Sequence, residues 1–278
     1  MGRVTERRRI VHIDGGVATE RPDTLAGEEP LEIRVSGRAI AVTMRTPGDD
    51  FDLVAGFAFT EGLITDPDHL VGLRYCAGAD DEGRNTYNVI DLVLSDDAPL
   101  PDVGAARNFY TTSSCGVCGK ASIDAVKVRS RFDLHDDPVT VTPTMLSALP
   151  SKLREAQQVF DRTGGLHAAA LFRPDAEVLA SREDVGRHNA VDKVIGWALR
   201  EKRLPLASTV LMVSGRASFE LVQKAYVAGI PVLAAVSAPS TLAVEFADSV
   251  GMTLVGFLRG TSMNVYCGAD RVVVGATL

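Results

Sequence analysis

The second half of the chain alternates short apolar runs with longer amphipathic segments, and this alternation limits the folds available to it. Residues 210–214, 231–236 and 252–257 are apolar runs of strand length, separated by helix-length segments at 219–227 and 242–250. Strands that are apolar on both faces must be covered on both faces. The pattern therefore predicts an α/β architecture, with helices on both sides of a mixed, largely parallel sheet.

Further elements precede and follow these runs. Pro150 and Ser151 are expected to open a helix, because proline is tolerated in a first helical turn, and Gly164 is expected to end it. Turn-forming residues and apolar periodicity predict a hairpin of strands 167–172 and 177–181, a helix over 189–199, and a short last strand over 264–267.

The first hundred residues have the pattern of a small α+β unit. Residues 31–35 and 39–44 alternate apolar and polar side chains around a Ser-Gly turn, as the strands of a hairpin do. Asp49 and Asp50 are placed to cap the helix that follows, and Gly62 is placed to close it.

A domain boundary is expected between these two patterns. Residues 95–108 are rich in Asp, Pro and Gly, which is the composition of a linker. We therefore divide the chain into a small α+β domain over residues 1–108 and a larger α/β domain over residues 109–278.

Composition excludes several classes of protein. The 278 residues carry a net charge of −7, whereas nucleic-acid binders normally show a basic surplus. No apolar stretch reaches the roughly 20 residues that span a bilayer, and none of signal-peptide length follows Arg8 and Arg9. Only four cysteines are present, too few for a disulfide scaffold. We expect a cytoplasmic protein that binds neither nucleic acid nor membrane.

The densest chemical signal is the Cys-x-x-Cys pair Cys115 and Cys118, flanked by hydroxyl residues and glycines and followed by Lys120. This spacing, a nearby lysine and a following helix N-terminus all lower a thiol pKa and favour the reactive thiolate. Three chemistries use such a pair: zinc binding, dithiol–disulfide exchange, and carriage of sulfur as a persulfide. The spacing alone leaves all three open, with His167 or His188 as candidates to complete a zinc site.

Other segments have the composition of an anion site. The strand-to-helix loops 215–218 and 238–241 consist of small residues with a Ser or Thr able to cap the next helix. Residues 257–262 (Phe-Leu-Arg-Gly-Thr-Ser) combine a guanidinium, hydroxyls and a glycine, which suits a large anionic nucleotide. Arg187 and His188, beside a glycine, could also hold phosphate or position a substrate.

Three motifs, taken in order, carry a resemblance. They are Thr-Thr-Ser-Ser-Cys-Gly-Val-Cys-Gly-Lys over residues 111–120, Arg-Glu-Asp-Val-Gly-Arg-His-Asn-Ala-Val-Asp-Lys over 182–193, and Val-Ser-Gly-Arg over 213–216 with a Phe-Glu pair behind it. Together they resemble the formate dehydrogenase accessory sulfurtransferase family, FdhD. The likeness runs from about Pro30 to Tyr266.

The resemblance implies a specific activity and fold. Proteins of this family accept sulfur from a cysteine desulfurase as a persulfide. They pass it to the bis-molybdopterin guanine dinucleotide molybdenum or tungsten cofactor, before that cofactor is inserted into formate dehydrogenase. The cofactor is thus a bound substrate, and no permanent metal is expected. The larger domain would be a three-layer, cytidine-deaminase-like unit, and the protein a homodimer.

The resemblance also assigns residues. Cys115 would carry the persulfide and Cys118 would be its partner. The residues that bind the cofactor would be Phe257, Leu258, Arg259, Gly260, Thr261 and Ser262.

Two alternative functions stay open. The implied fold and the Cys-x-x-Cys pair would also suit a zinc-dependent nucleobase deaminase. However, neither His167 nor His188 is followed two positions later by the glutamate that such an enzyme uses as general acid and base. The second alternative is a cofactor-binding chaperone with no chemistry of its own.

Overall fold

The computed structural model of the chain describes residues 3–76, 78, 86–96, 98 and 130–274. The Cys-x-x-Cys pair, Cys115 and Cys118, lies outside these residues, as does the domain boundary placed at residue 108. Both therefore stay predictions.

The N-terminal part consists of a ribbon and a small mixed sheet. The ribbon pairs β1 (Thr5–Asp14) with β2 (Val17–Ala26). The sheet has the order β4-β3-β6-β5 and is packed on helix α1. Its elements are β3 (Glu29–Val35), β4 (Arg38–Arg45), α1 (Asp50–Thr60), a 3₁₀ turn (Pro67–His69), β5 (Leu70–Tyr75) and β6 (Val89–Leu94).

The predicted hairpin and helix of this part are confirmed, but one cap is wrong. Asp49 occupies the N-cap position of α1 without capping it by its side chain. Its carboxylate lies instead 3.5 Å from Nε of Arg182. Gly62 follows the helix at φ 75°, the left-handed conformation that favours glycine at a helix end.

The C-terminal part consists of helices around a six-stranded sheet of order β12-β11-β10-β9-β7-β8. Its helices are α2 (Pro143–Ala156), α3 (Gln158–Thr163), α4 (Arg187–Arg200), α5 (Phe219–Val227) and α6 (Thr241–Ser249). Its strands are β7 (His167–Phe172), β8 (Val178–Asp184), β9 (Val210–Val213), β10 (Val232–Ala235), β11 (Thr253–Arg259) and β12 (Ser262–Cys267), followed by a 3₁₀ turn (Ala269–Arg271).

The sheet is mixed, as predicted, with its parallel strands at the centre. β10 pairs in parallel with both β9 and β11, whereas β7, β8 and β12 run antiparallel to their neighbours. The hairpin and the alternating order of helices and strands agree with the sequence pattern.

The start of the first C-terminal helix corrects a prediction. The helix begins at Pro143, and Pro150 lies inside it. The hydroxyl of Thr142 accepts a hydrogen bond from the N–H of Met145 at 3.1 Å and so caps the helix. Proline suits the first helical position because no partner is needed there for its missing N–H.

Alternate residues of each strand build two separate cores. One face, including Ala168, Ala170 and Phe172 of β7, packs on α2. The opposite face, including Ala169 and Leu171, packs on the side of α4, α5 and α6. This gives a three-layer arrangement. The second core continues without interruption through α1 to the four-stranded sheet, so the N-terminal and C-terminal parts share it.

Two glycines allow α1 and α4 to pack backbone against backbone. A Cβ placed on Gly56 would lie 1.9 Å from the carbonyl oxygen of Asp192, and one on Gly196 would lie 1.8 Å from that of Asp52. Both distances are far inside van der Waals contact. The crossing therefore requires glycine on each helix.

Buried ion pairs tie the same parts together. Nζ of Lys193 on α4 lies 2.8 Å from Oδ2 of Asp184, and Lys193 also donates to the carbonyl of Thr46 at 3.0 Å. Lys224 on α5 binds Asp192 of α4 and the hydroxyl of Thr60 at the end of α1, each at 2.9 Å. Each of these cations thus contacts both parts of the chain.

Within the described ranges, none of the helices combines the length and the apolar character needed to cross a bilayer.

The helix crossing makes a prediction. Gly196→Ala should lower the free energy of unfolding by about 3 kcal/mol or more, because the new methyl group forces α1 and α4 apart. Gly72→Ala is the control, since a Cβ at Gly72 of β5 meets nothing within 4 Å. Chemical unfolding followed by circular dichroism compares the two, and equal stabilities would contradict the close crossing.

Candidate functional site

Three loops meet where the parallel strands end. They follow β9, β10 and β11, and backbone hydrogen bonds join them side by side. The N–H of Ser237 donates to the carbonyl of Gly215 at 3.4 Å, and the N–H of Phe257 donates to the carbonyl of Ser237 at 3.2 Å. Crevices at this edge of an α/β sheet are the usual ligand sites. We call it the carboxyl edge.

Two more elements reach the carboxyl edge. Because β7 runs antiparallel to β9, its first residue, His167, lies there, and α4 brings Arg187 and His188 in its first turn. The hydroxyl of Ser214 accepts from the N–H of Ala168 at 2.9 Å and so connects the β9 loop to the start of β7. The fold thus gathers residues from motifs far apart in sequence.

His188 contacts two side chains from the beginning of α5. Its Nε2 lies 3.4 Å from Oγ of Ser218 and 3.8 Å from Oε2 of Glu220. Burial alone raises the pKa of Glu220, but interactions with the His188 ring, with its own backbone N–H and with the Ser218 hydroxyl outweigh burial and lower this pKa to about 2. The carboxylate is therefore ionised at neutral pH.

His167 differs from His188 in its surroundings. Burial lowers the pKa of His167, and the nearby charges of Arg187 and His188 lower it further. A Cβ on Gly215 would lie 3.5 Å from Nδ1 of His167, so the β9 loop passes directly over this ring. His167 is consequently favoured as a neutral imidazole under the loop.

The two similar strand-to-helix loops use their serines differently. Ser240 caps α6, its hydroxyl accepting from the N–H of Ala243 at 3.3 Å, as predicted. Ser218 occupies the same position before α5, but its hydroxyl does not cap that helix. It faces His188 instead. The capping prediction for the first loop is therefore wrong.

The segment 257–262 forms the end of β11 and the turn into β12. A β-bulge lies between Gly256 and Arg259, and within it Phe257 has a φ of 50°, uncommon for a residue with a side chain. The Phe257 side chain is 40% exposed, and the Arg259 guanidinium lies 5.9 Å from the centre of its ring. Gly260 also has a positive φ, of 55°.

The remaining residues of that segment differ in what they present. Leu258 is fully buried in the core beside α2 and presents no surface to a ligand. Thr261 and Ser262 are exposed. The proposal that residues 257–262 bind a nucleotide stays a prediction, and the structure brings this segment to the same edge as His188.

Two arginines at the carboxyl edge have no carboxylate partner in the described residues. Elsewhere in the described part of the chain, ten arginines form ion pairs with Asp or Glu. Arg259 donates only to the carbonyl of Val236, at 3.3 Å, and Arg216 is exposed. These guanidinium groups therefore stay available to an anion.

The two cysteines in the described residues, Cys267 and Cys76, lie away from this edge. Cys267 is buried, its thiol donates to the carbonyl of Met252 at 3.2 Å, and burial raises its pKa. Cys76 is half-buried.

Across residues 3–76, 86–96 and 130–274, no three His, Cys, Asp or Glu side chains are grouped closely enough to hold a metal ion.

Sequence reasoning missed Glu220 as a site residue and assigned Ser218 only the role of a helix cap in an anion-site loop. Both lie directly after the third motif, but their contacts with His188 span about thirty residues of chain. The sequence signal for these two residues is a serine two positions before a glutamate at the start of a helix. Both follow a strand that ends in a glycine-containing loop.

The fold and the site define a layered α/β protein with the His188–Ser218–Glu220 contacts and two unpaired arginines at the carboxyl ends of its parallel strands. Within that class, the family model of the FdhD/NarQ family matches residues 26–273. The chain belongs to this family.

Curated relatives match along their whole length. The chain is 61% identical over 279 residues to the sulfur carrier protein FdhD of Streptomyces coelicolor, covering 100% of this chain and 99% of the relative. It is 62% identical to that of Mycolicibacterium paratuberculosis, covering 97% and 99%. A more distant relative of the same name, from an Anaeromyxobacter species, is 47% identical, covering 98% and 94%.

A solved structure has the same fold. The crystal structure of a proposed formate dehydrogenase accessory protein from Desulfotalea psychrophila superposes with a TM-score of 0.78 at 22% identity. The match covers 98% of this chain and all of the other.

The two serines give a testable contrast. Ser218→Ala should raise the pKa of Glu220, since it removes one group that stabilises the carboxylate. Ser240→Ala should leave that pKa unchanged and cost about 1 kcal/mol through loss of a helix cap. NMR titration of the Glu220 carboxyl group measures its pKa, and chemical unfolding measures the loss of stability.

The lowered pKa of Glu220 makes the stability of the folded protein depend on pH. A carboxyl group with a depressed pKa in the folded state stabilises the protein above its ordinary pKa, and this contribution is lost as pH falls toward about 2. In Ser218→Ala this contribution should be smaller, and its loss should be complete at a higher pH. An unchanged Glu220 titration would refute the contact.

Proposed function

We propose that this protein is a sulfur carrier. The observation that carries the proposal is the full-length identity of 61–62% to proteins named sulfur carrier protein FdhD. Identity at this level, over complete chains, supports a shared biochemical role as well as a shared fold.

Cys115 is the proposed carrier residue, with Cys118 as its partner. The Cys115 thiol loses its proton, and the thiolate attacks the terminal sulfur of the donor's persulfide. A new sulfur–sulfur bond forms on Cys115 while the bond between that sulfur and the donor cysteine breaks. The donor leaves as a thiolate and takes up the proton that Cys115 lost.

The acceptor proposed for the sulfur is the bis-molybdopterin guanine dinucleotide cofactor, bound as a substrate at the carboxyl edge. The edge suits its nucleotide and phosphate groups. Arg259 and Arg216 carry unpaired charges within the described residues, and α5 and α6 direct their N-termini at the same crevice. Phe257 adds an exposed aromatic face of a kind that stacks on bases.

The proposed partners follow from this route. A cysteine desulfurase supplies the sulfur, and formate dehydrogenase receives the sulfurated cofactor. The resemblance adds a homodimer and a cytoplasmic location. All four stand as proposals.

Transfer of sulfur to Cys115 has a direct test. Incubation with a cysteine desulfurase and free cysteine should add the mass of one sulfur atom to the chain, removable by a reducing agent. Cys115→Ala should abolish this gain, whereas Cys76→Ala should retain it, because Cys76 is the partly accessible cysteine of the described residues. Intact mass spectrometry measures both. Absence of the gain in the unaltered protein, or one tightly held zinc ion with deaminase activity, would defeat the proposal.

The nucleotide site has a separate test. Guanosine diphosphate, which represents the nucleotide part of the cofactor, should bind to the unaltered protein. Arg259→Ala should raise the dissociation constant of this complex about 10- to 100-fold, because charge-assisted hydrogen bonds are lost.

The matched control is Arg154→Ala. Arg154 also lies over a phenylalanine ring, 4.6 Å from the centre of Phe160, but on α2 and away from the carboxyl edge. The Arg154→Ala variant should bind guanosine diphosphate with the affinity of the unaltered protein. Calorimetry measures the affinities, and equal affinities for all three proteins would reject residues 257–262 as the nucleotide site.

A further inference from the structure

A cavity lies at the edge of the six-stranded sheet opposite the carboxyl edge. It is found where β7 ends and β9 begins, beside the pairing of Phe172 with Val210. Its volume is about 360 Å³, which falls within the range of small-molecule sites. Its lining comes from the β7–β8 hairpin, from α4 and from the loop that leads from α4 to β9. It is therefore a different place from the proposed nucleotide site.

The floor of this cavity is apolar. Leu171 and Leu206 are buried beneath it, and the partly buried side chains of Leu179 and Trp197 complete it. An apolar group that packs on such a floor is removed from water together with the floor itself, which favours binding. The cavity therefore suits a molecule whose bulk is apolar.

The rim of the cavity is cationic, although the chain as a whole carries a net charge of −7. Among the described residues, two arginines line the cavity, Arg173 and Arg203, and no carboxylate does. Arg173 forms an exposed ion pair with Glu177 at 3.1 Å, which neutralises its charge. Arg203 has no such partner in the described part of the chain. One unneutralised positive charge therefore stands at the rim.

The Arg203 guanidinium is placed to bind a carboxylate. Its central carbon lies 5.2 Å from the centre of the Trp197 ring, a distance typical of cation–π contacts. A guanidinium presents its N–H donors in its own plane, as a fork that matches the two oxygens of a carboxylate. A carboxylate beside Trp197 would therefore accept two parallel hydrogen bonds.

The loop between α4 and β9 forms a fixed wall of the cavity. Lys202 and Ser208, near its two ends, both have a φ of 54°, the left-handed conformation that is uncommon for residues with a side chain. The N–H of Arg203 donates to the carbonyl of Ala198 at 2.8 Å, and that of Ser208 donates to Oδ2 of Asp137 at 2.9 Å. Because these bonds hold both ends of the loop, little ordering is left for a bound molecule to impose.

We propose that this cavity binds a small molecule made of an aromatic ring system and one carboxylate. The rings pack on the leucine floor beside Trp197, and the carboxylate accepts from Arg203. Flat rings suit the indole face, because aromatic groups attract each other in offset or edge-to-face arrangements. One carboxylate matches the one unneutralised guanidinium. The proposal does not rest on sulfur transfer.

Trp197 reports on this cavity directly. The chain contains one tryptophan, so its indole N–H gives a single NMR signal in the full-length protein. Added 2-naphthoate should move this signal and saturate the change. The neutral isostere 2-naphthamide should bind about 10- to 100-fold more weakly, because it cannot form charge-assisted hydrogen bonds of the same strength. An unmoved signal, or equal affinities for the acid and the amide, would overturn the proposal.

Arg203→Ala tests the guanidinium itself. Arg203 is exposed, so the variant should keep the fold, and its affinity for 2-naphthoate should fall about 10- to 100-fold, to that for the amide. The matched control is Arg154→Ala, which removes an exposed arginine that also lies over an aromatic ring, that of Phe160 on α3. The control should bind 2-naphthoate as the unaltered protein does. Weaker binding in both variants, or in neither, would overturn the proposal.

A peptide probe distinguishes a free aromatic acid from a segment of a partner protein. Acetyl-phenylalanyl-aspartyl-amide carries a ring and a carboxylate on a flexible backbone, and ordering that backbone costs affinity. It should therefore move the Trp197 signal only at higher concentration than 2-naphthoate. Tighter binding of the peptide would assign the cavity to a partner protein and would overturn the proposal.

Discussion

The arrangement of the site depends on one buried ion pair, that of Lys193 with Asp184. Lys193 is 1% exposed and Asp184 is fully buried. The pair holds both backbone groups of Thr46, because Lys193 donates to its carbonyl and Asp184 accepts from its N–H at 3.2 Å. Removing either partner would leave an uncompensated buried charge, which costs about 3–5 kcal/mol. Since Asp184 ends β8 and Lys193 lies on α4, the pair fixes the start of α4, where Arg187 and His188 reach the carboxyl edge.

The sequence pattern predicts local elements well where apolar periodicity and turn residues agree. The helix at 219–227 matches α5 throughout, and the strands around it differ by one or two residues at their ends. The pattern places the start of the first C-terminal helix too late, at Pro150, although Thr142 and Pro143 carry the stronger signal of a capping residue followed by proline. A proline in the middle of a helix is rare enough to mislead.

Contacts between distant segments were beyond the reach of the pattern. Glycine inside a helical segment normally lowers its propensity, so Gly56 and Gly196 gave no indication that α1 and α4 cross at backbone contact. The same holds for the site. The loops at the carboxyl edge follow from the strand order. The contact of Ser218 with His188 in place of a helix cap depends on where α4 lies, and the crossing with α1 and the buried ion pairs hold α4 there.

These constraints explain how an acidic chain can present a crevice to an anion. Ten of the described arginines pair with a carboxylate, whereas Arg216 and Arg259 at the carboxyl edge do not. Glu220, a carboxylate held close to His188, is ionised through that contact and partly offsets the charge of the histidine when it is protonated. The unpaired charges that the described residues present at the edge thus differ in sign from the net charge of the chain. Because Coulomb interactions between exposed groups are screened within about 8–10 Å in physiological salt, the edge rather than the whole molecule decides which ligand is attracted. The phosphate-bearing substrate that we propose would therefore meet unpaired guanidinium groups on a protein of net charge −7.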